Sequence, residues 1–213
     1  MDSGTAAASC VAVVFDVNVY LDVAELLGEP FSWEKFDIAA ARYHAVPLNG
    51  PDRKIDSLRA LAVTQSGKFA GRVPLQVWTS EHIDNLVDLK ASQPQEGECP
   101  EDRGLGWSQE NAAALVDDLV WAIVFDKSGG YTCGNVEIPY GTPPLSHEDG
   151  LVYSTARQCC DDQAMRYCVT SDRSFRTSRL PGDITVLYPH EWVDFVRRSR
   201  ARAAMPKPRA EPQ

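Results

Sequence analysis

Acidic side chains follow or begin predicted elements in three separate parts of the sequence. Asp16 comes directly after the apolar run Val11–Phe15, Asp149 falls in the first turn of a predicted helix, and Asp172 follows a predicted strand over residues 165–170. A carboxylate at the border of a hydrophobic core is costly unless it is paired, and a divalent cation is one such partner. The spacing therefore raises the question of whether folding brings these acids together.

Clustered carboxylates of this kind would have a definite chemistry. Several of them within a few ångströms do not all stay ionised unless a cation joins them, and all-oxygen ligands favour Mg²⁺ or Mn²⁺ over zinc. Such an ion activates water and neutralises charge in phosphate chemistry. In a supporting role, Asn18 can hydrogen-bond a ligand carboxylate, while Thr170 and Ser171 can orient Asp172 or donate to a phosphate.

The elements that must position these acids alternate between strands and helices. Short β-branched or apolar runs predict strands, and apolar residues at helical spacing behind capping residues predict helices. The strands cover 11–15, 75–79, 165–170 and 184–187, and the helices cover 19–27, 33–44, 53–65, 81–89, 109–128, 147–160 and 191–198. This order predicts an α/β/α sandwich of three layers with a central, mostly parallel sheet of four or five strands.

Composition favours one globular domain. The chain has 213 residues, 44% of them hydrophobic, and a net charge of −9, which argues against a protein that coats nucleic acid electrostatically. We expect a disordered segment over 1–9, a domain over 10–200 and a basic, disordered tail over 201–213. The cations between Arg197 and Arg209 could hold phosphates or simply be solvated.

Other sequence features bear on the compartment of the protein. No secretion signal or membrane span is recognisable, so we expect a cytoplasmic protein without a membrane partner. None of the six cysteines forms a Cys-x-x-Cys pair, which argues against a zinc or redox site.

The candidate acids lie in three sequence blocks: Val-Val-Phe-Asp16-Val-Asn18-Val-Tyr-Leu, Leu145-Ser-His-Glu148-Asp149-Gly-Leu-Val and Tyr167-Cys-Val-Thr170-Ser171-Asp172-Arg-Ser-Phe. These blocks resemble those of PIN domains, which are metal-dependent nucleases. They occur in the family's order between about residues 10 and 200, and the last predicted strand and helix are also similar.

The resemblance implies a function and a ligand set. Many PIN domains are VapC-type toxins, so it implies an Mg²⁺- or Mn²⁺-dependent endoribonuclease that leaves a 5′-phosphate and a 3′-hydroxyl. Asp16, Asp149 and Asp172 match the family's metal-binding, catalytic acids. The implied partners are an RNA substrate, an antitoxin protein that covers the acidic site with a cation, and a second copy in a homodimer.

The chain departs from the family pattern at one acid. PIN domains usually carry a further acid in the helix after the second strand, where this sequence has Leu86. Glu148 and Asp84 are the candidates to replace it as a metal ligand. The substitution supports an alternative function, a catalytically weakened PIN-like module that binds RNA or protein.

Three of these acids also have a plainer explanation. Asp149 can complete a helix cap with Ser146, Asp172 can be a turn residue, and Asp84 can be a solvated helix acid.

A phosphatase of the haloacid-dehalogenase type also begins with a strand that ends in Asp. That class needs Asp-x-Asp, and here the third residue of the motif is Asn18.

Overall fold

Five strands and nine α-helices are seen in the part of the chain that the structure, a computed structural model, describes: residues 10–71, 73–96, 103–133, 140–160 and 164–205. The strands are β1 (Val11–Phe15), β2 (Leu75–Ser80), β3 (Gly130–Thr132), β4 (Met165–Val169) and β5 (Ile184–Leu187). The helices are α1 (Val17–Leu27), α2 (Trp33–Tyr43), α3 (Arg53–Gln65), α4 (Glu81–Ser92), α5 (Gln109–Leu115), α6 (Ala122–Asp126), α7 (His147–Gln158), α8 (Arg173–Thr177) and α9 (Pro189–Ala204).

The strands form one sheet in the order β3-β2-β1-β4-β5, and every pair is parallel. Helices pack around the sheet, so the α/β prediction is confirmed, with five strands. Because all strands run the same way, their carboxyl ends lie at a single edge of the sheet, where open α/β sheets bind ligands. An acid can therefore take part in a ligand site of this kind only if it lies near this edge.

The centre of the sheet is apolar on both faces. All five residues of β1 are buried, as expected for a central parallel strand between helices. Helix α9 packs over one face through Trp192, whose ring contacts Phe15 of β1 and Tyr167 of β4. Helix α7 contacts β1, β2 and β4. This packing fixes the strand ends from which the candidate site is built.

The structure differs from the local predictions in four places. Strand β3 lies in a segment predicted to be irregular, and the short helix α8 was not predicted. The helix predicted over 109–128 contains a π-helical segment, Val116–Trp121, between α5 and α6. Helix α9 begins at Pro189 and continues to Ala204, past residue 201, where we predicted a disordered tail.

Two glycines explain why β3 was missed. A side chain on Gly129 would collide with the backbone carbonyl of Val77, and one on Gly130 would collide with the Trp78 ring. Both glycines therefore permit a close approach to β2, although glycine is otherwise unfavourable in strands.

The predicted disorder of residues 1–9 and of 206–213 falls outside the described residues. No helix in the described ranges is long and apolar enough to cross a lipid bilayer.

Candidate active site

Asp16 lies at the carboxyl edge of the sheet because of the pairing between β1 and β4. Phe15 pairs with Val169 at the ends of the two strands. The residues that follow them, Asp16 and Thr170, therefore also lie side by side. The Asp16 carboxylate is 5% exposed, and its Oδ2 accepts hydrogen bonds from Thr170 Oγ1 and Asn18 Nδ2, both at 2.6 Å. One oxygen of this acid is thereby held in a fixed orientation.

Asn18 links the start of α1 to the loop that follows β4. Its Oδ1 accepts the backbone N–H of Ser171 at 2.9 Å, while its Nδ2 donates to Asp16. In the same loop, Thr170 Oγ1 accepts the backbone N–H of Asp172 at 2.9 Å. Asn18 and Thr170 therefore position the backbone that carries Asp172 as well as the side chain of Asp16.

The structure brings Asp149 and Asp172 to the same pocket as Asp16. The pocket has a volume of about 200 Å³ and is lined by Asp16, Val17, Asn18, Leu21, Leu86, Lys90, Glu148, Asp149, Val152 and Asp172. Asp149 reaches it from the first turn of α7, where its backbone N–H donates to Ser146 Oγ at 3.1 Å. Three acids far apart in sequence thus share one cavity. Glu148 also lines this cavity, but it is exposed to solvent.

Burial and mutual repulsion raise the pKa values of two of these acids. Burial raises the pKa of Asp16 to about 7, and the charges of Asp149 and Asp172 add to this effect against the hydrogen bond from Thr170. The pKa of Asp149 is also raised, first by burial and then by the charges of Asp172 and Glu148. The pocket therefore resists holding all its carboxylates in the ionised state, as expected where a cation would relieve repulsion.

Asp172 differs from the other two acids because its carboxylate also caps a helix. Its Oδ1 accepts hydrogen bonds from the backbone N–H of Ser174 and Phe175 and from Ser174 Oγ. Although burial acts in the opposite direction, these bonds and the charge of Arg53 lower the pKa of Asp172. The turn role considered for Asp172 is thus present, and the residue also lines the pocket.

One wall of the pocket differs from what a four-acid site requires. Leu86 lines it, and Lys90 follows on the same side of α4, four residues later. Asp84 lies elsewhere: its Oδ1 accepts a hydrogen bond from Thr79 Oγ1 at 2.8 Å, and Trp121 also donates to it. Positions two apart on a helix point in very different directions, so Asp84 does not replace the acid missing at Leu86.

The donors in the pocket suit a hard divalent cation in kind, because they are all carboxylate oxygens whose charges repel one another. Their spacing, however, does not form a metal site. Within the described part of the chain, no group of three or more His, Cys, Asp or Glu side chains is arranged so that it could hold a metal ion. The site thus has the chemistry expected of a metal site without a complete ligand cage.

A buried network beside the pocket was not found from sequence. Asp22 is 3% exposed and accepts hydrogen bonds from Ser57 Oγ at 2.8 Å and from Ser171 Oγ at 3.1 Å. Arg53 Nε lies 3.3 Å from its other oxygen. The network ties α1 and α3 to the loop after β4. Asp22 lies on α1 after Asp16, but its partners could not be inferred from that spacing.

Comparisons with family models, with curated proteins and with solved structures found no match. The level of classification that is established is therefore the α/β fold with a five-stranded parallel sheet. Because one fold can host many unrelated functions, it is the residues of the pocket, and not the fold, that bear on function.

Proposed function

We propose that this protein is a PIN-like ribonuclease that hydrolyses RNA phosphodiester bonds with Mg²⁺ or Mn²⁺. The observation that carries the proposal is the convergence of Asp16, Asp149 and Asp172 in one pocket at the carboxyl edge of the sheet. These are the acids that the PIN resemblance implies. A helix cap would explain Asp149 alone, but it would not explain why three distant acids share a cavity.

In this proposal, the acids hold the metal ion and the polar residues beside them hold the acids in place. Asp16, Asp149 and Asp172 would hold the cation, and Glu148 at the border is the remaining carboxylate within the pocket lining. A bound Mg²⁺ or Mn²⁺ supplies an activated water and neutralises charge on the phosphate. Asn18 and Thr170 orient the Asp16 carboxylate by hydrogen bonds, so that less reorganisation is needed when the ion binds.

The proposal includes a protein partner. If the chain is a toxin, its antitoxin would cover the pocket and present an Arg or Lys to it, since the carboxylates repel one another. We expect co-expression with such a partner to suppress RNA cleavage, and alanine in place of the inserted cation to restore it.

A second candidate function is a PIN-like module that binds RNA or protein without cleaving. It is supported by Leu86 and Lys90 in the pocket wall and by the incomplete ligand arrangement of the described residues. An apolar side chain where an acid is expected removes one negative charge, and a lysine nearby adds a positive one. Both changes weaken binding of a divalent cation.

The deciding experiment is cleavage of a mixed RNA pool in Mn²⁺ and in EDTA, with wild type, Asp149→Asn and Asp37→Asn. Asn preserves the size of Asp149 and leaves its backbone bond to Ser146 intact, but it removes the charge. Since loss of a supporting residue at a metal site costs roughly 10–100-fold in activity, loss of a ligand should reduce cleavage by at least about 100-fold. Asp37 is exposed on α2, and its variant controls for charge.

The two functions give different outcomes. Cleavage that disappears in EDTA and in Asp149→Asn, but persists in Asp37→Asn, supports the ribonuclease. No cleavage by folded wild type, together with no specific Mn²⁺ binding by calorimetry, rejects it and favours the binding module. Cleavage that persists in folded Asp149→Asn would exclude the proposed ligand set.

A further inference from the structure

A second cavity lies between α2, α3 and α9 and shares no lining residue with the acidic pocket. Its volume of about 670 Å³ falls within the range of roughly 300–1,000 Å³ that is typical of ligand cavities. Its walls carry four basic side chains: His44 after the end of α2, Arg59 on α3, and Arg197 and Arg200 on α9. Among the described residues, no Asp or Glu lines it. In a chain with a net charge of −9, this cavity is therefore a local site of positive charge.

Arg59 is a buried cation without an acidic partner. Only 5% of the residue is exposed, and no carboxylate of the described residues forms an ion pair with its guanidinium. Asp56 and Asp194 act on it only as charges at longer range. A charge inside a protein is costly unless it is paired, so buried arginines normally have a partner. An anion in the cavity would supply the partner that this arginine lacks.

The guanidinium of Arg59 also has a donor group to offer such an anion. Its Nη1 donates to the carbonyl of Val46, and its Nε is enclosed by the protein, without a hydrogen-bond partner among the described residues. Its Nη2 likewise has no partner in the described part of the chain, but it is not closed off from solvent as Nε is. Nη2 is therefore the part of Arg59 that remains for a ligand in the cavity.

Arg197 is a second cation in this cavity that has no partner. It is half-buried on α9, and none of the described residues bonds to its guanidinium. The next residue, Arg198, differs because it pairs with Asp194 at 2.6 Å. Burial lowers the pKa of Arg59, and the charge of Arg197 adds to this effect, so the two guanidinium groups lie close enough to repel each other. One anion in the cavity would relieve this repulsion.

Arg200 has a different part in this cavity, because all three of its guanidinium nitrogens are already bonded. Nε donates to the carbonyl of Lys68 at 2.9 Å, Nη1 to Ser66 Oγ at 3.2 Å and Nη2 to the carbonyl of Val63 at 2.8 Å. These bonds hold α9 against the end of α3, and they keep a positive charge in the cavity wall. Arg200 thus adds to the potential of the cavity, while the donors for a ligand come from other residues.

We propose that this cavity binds a phosphate group, with Arg59 and Arg197 as its donors. Guanidinium groups suit this task because they stay charged at neutral pH and present planar N–H donors that match phosphate oxygens. Ala40 of α2 and Ala62 of α3 line another part of the wall, and their small side chains leave room for the molecule that carries the phosphate. The site is separate from the acidic pocket, so the inference does not depend on the proposed ribonuclease function.

The test is titration of the full chain with pyrophosphate, followed by calorimetry at low ionic strength, where screening is weak. EDTA is present, so that no metal ion in the acidic pocket can hold the probe. We expect wild type to bind saturably and Arg197→Gln to bind about tenfold or more weakly, since hydrogen bonds between charged groups are the strong ones. Arg198→Gln is the matched control. It removes the same charge from the next residue, which does not line the cavity, and should bind like wild type.

NMR then locates the bound pyrophosphate. The Nε–H signal of Arg59 and the backbone N–H signal of Val63 should shift on binding, whereas the backbone N–H signal of Asp149 in the acidic pocket should not. Arg59→Gln should weaken binding as Arg197→Gln does, and if it does not fold, Arg197→Gln and the Arg59 signal still decide the test. Absence of saturable binding by folded wild type, or binding that is unchanged in folded Arg197→Gln, overturns the proposal.

A competition experiment identifies the source of the phosphate. A short single-stranded RNA is added to the complex of wild type with pyrophosphate in EDTA. Displacement of pyrophosphate by the RNA assigns the site to the backbone of a nucleic acid, and retention of pyrophosphate assigns it to a phosphorylated small molecule. Both results support a phosphate site, and neither depends on RNA cleavage, so this site and the proposed ribonuclease function can each fail alone.

Discussion

Asp16→Asn should change how stability depends on pH. Burial raises the pKa of Asp16 from 3.8 to about 7, which at about 1.4 kcal/mol per pH unit corresponds to about 4 kcal/mol. The unfolded chain ionises this carboxyl near pH 4, whereas the folded chain keeps it protonated until about pH 7. The unfolded state therefore binds fewer protons between these values, and stability falls as pH rises through that window.

The magnitude can be isolated by comparing the variant with wild type. Between pH 5 and pH 8, wild type crosses about two pH units of the window and should lose about 3 kcal/mol relative to Asp16→Asn. Asn keeps an oxygen that accepts the bonds from Thr170 and Asn18, and it carries no charge at either pH. The variant should therefore be the more stable protein at pH 8 in EDTA.

The assay is denaturant unfolding at pH 5 and pH 8 in EDTA, with Asp37→Asn as the control for removing an exposed carboxyl. If wild type and Asp16→Asn lose stability in parallel, within about 1 kcal/mol, Asp16 ionises normally and the reasoning is wrong. Adding Mn²⁺ at pH 8 gives a second readout. An ion that binds only the folded state should stabilise wild type more than Asp16→Asn.

Three other substitutions have outcomes that the contacts determine. Trp192→Ala should destabilise the fold by about 3–5 kcal/mol in denaturant unfolding, because this fully buried ring packs on the central strands and its N–H bonds a buried threonine. Ser146→Ala should cost about 1 kcal/mol in the same assay, since its Oγ accepts the backbone N–H of Asp149. Leu86→Glu should tighten Mn²⁺ binding about tenfold or more in calorimetry, whereas Leu89→Glu, on the exposed side of α4, should not.

Much of the fold could be predicted because local pattern and packing agree. Strands β1, β2, β4 and β5 are short apolar runs, and α3 has the predicted bounds because Asp52 caps it and its apolar residues recur at helical spacing. Strand β3 could not be predicted. It has three residues, and its path depends on the close approach of Gly129 to Val77, which no local pattern records.

The candidate site could be predicted only in part from the sequence. Asp16, Asp149 and Asp172 could be grouped because, in a parallel sheet, the strand ends and the starts of the following helices meet at one edge. The positions of Asp22 and Lys90 depend on tertiary contacts, although Lys90 could have been suspected four residues after Leu86 on one helix face.

The basic C-terminal stretch illustrates the same limit. Arg200 was grouped with cations that would bind phosphate or be solvated, yet it donates hydrogen bonds to the carbonyls of Val63 and Lys68 and to Ser66 Oγ. It therefore satisfies backbone groups at the end of α3 and fixes α9 against that helix. Charge counting along a sequence cannot separate this role from that of a solvated cation.

The substitution at Leu86 distinguishes the two proposed functions more sharply than any other. If three acids suffice to bind the ion, wild type binds Mn²⁺ and Leu86→Glu binds it more tightly, because the added carboxylate increases the negative charge in the pocket. If the site has degenerated, wild type shows no specific binding and Leu86→Glu creates it. If neither folded protein binds Mn²⁺, the pocket is not a metal site, because restoring the fourth carboxylate would then not have been enough to bind the ion.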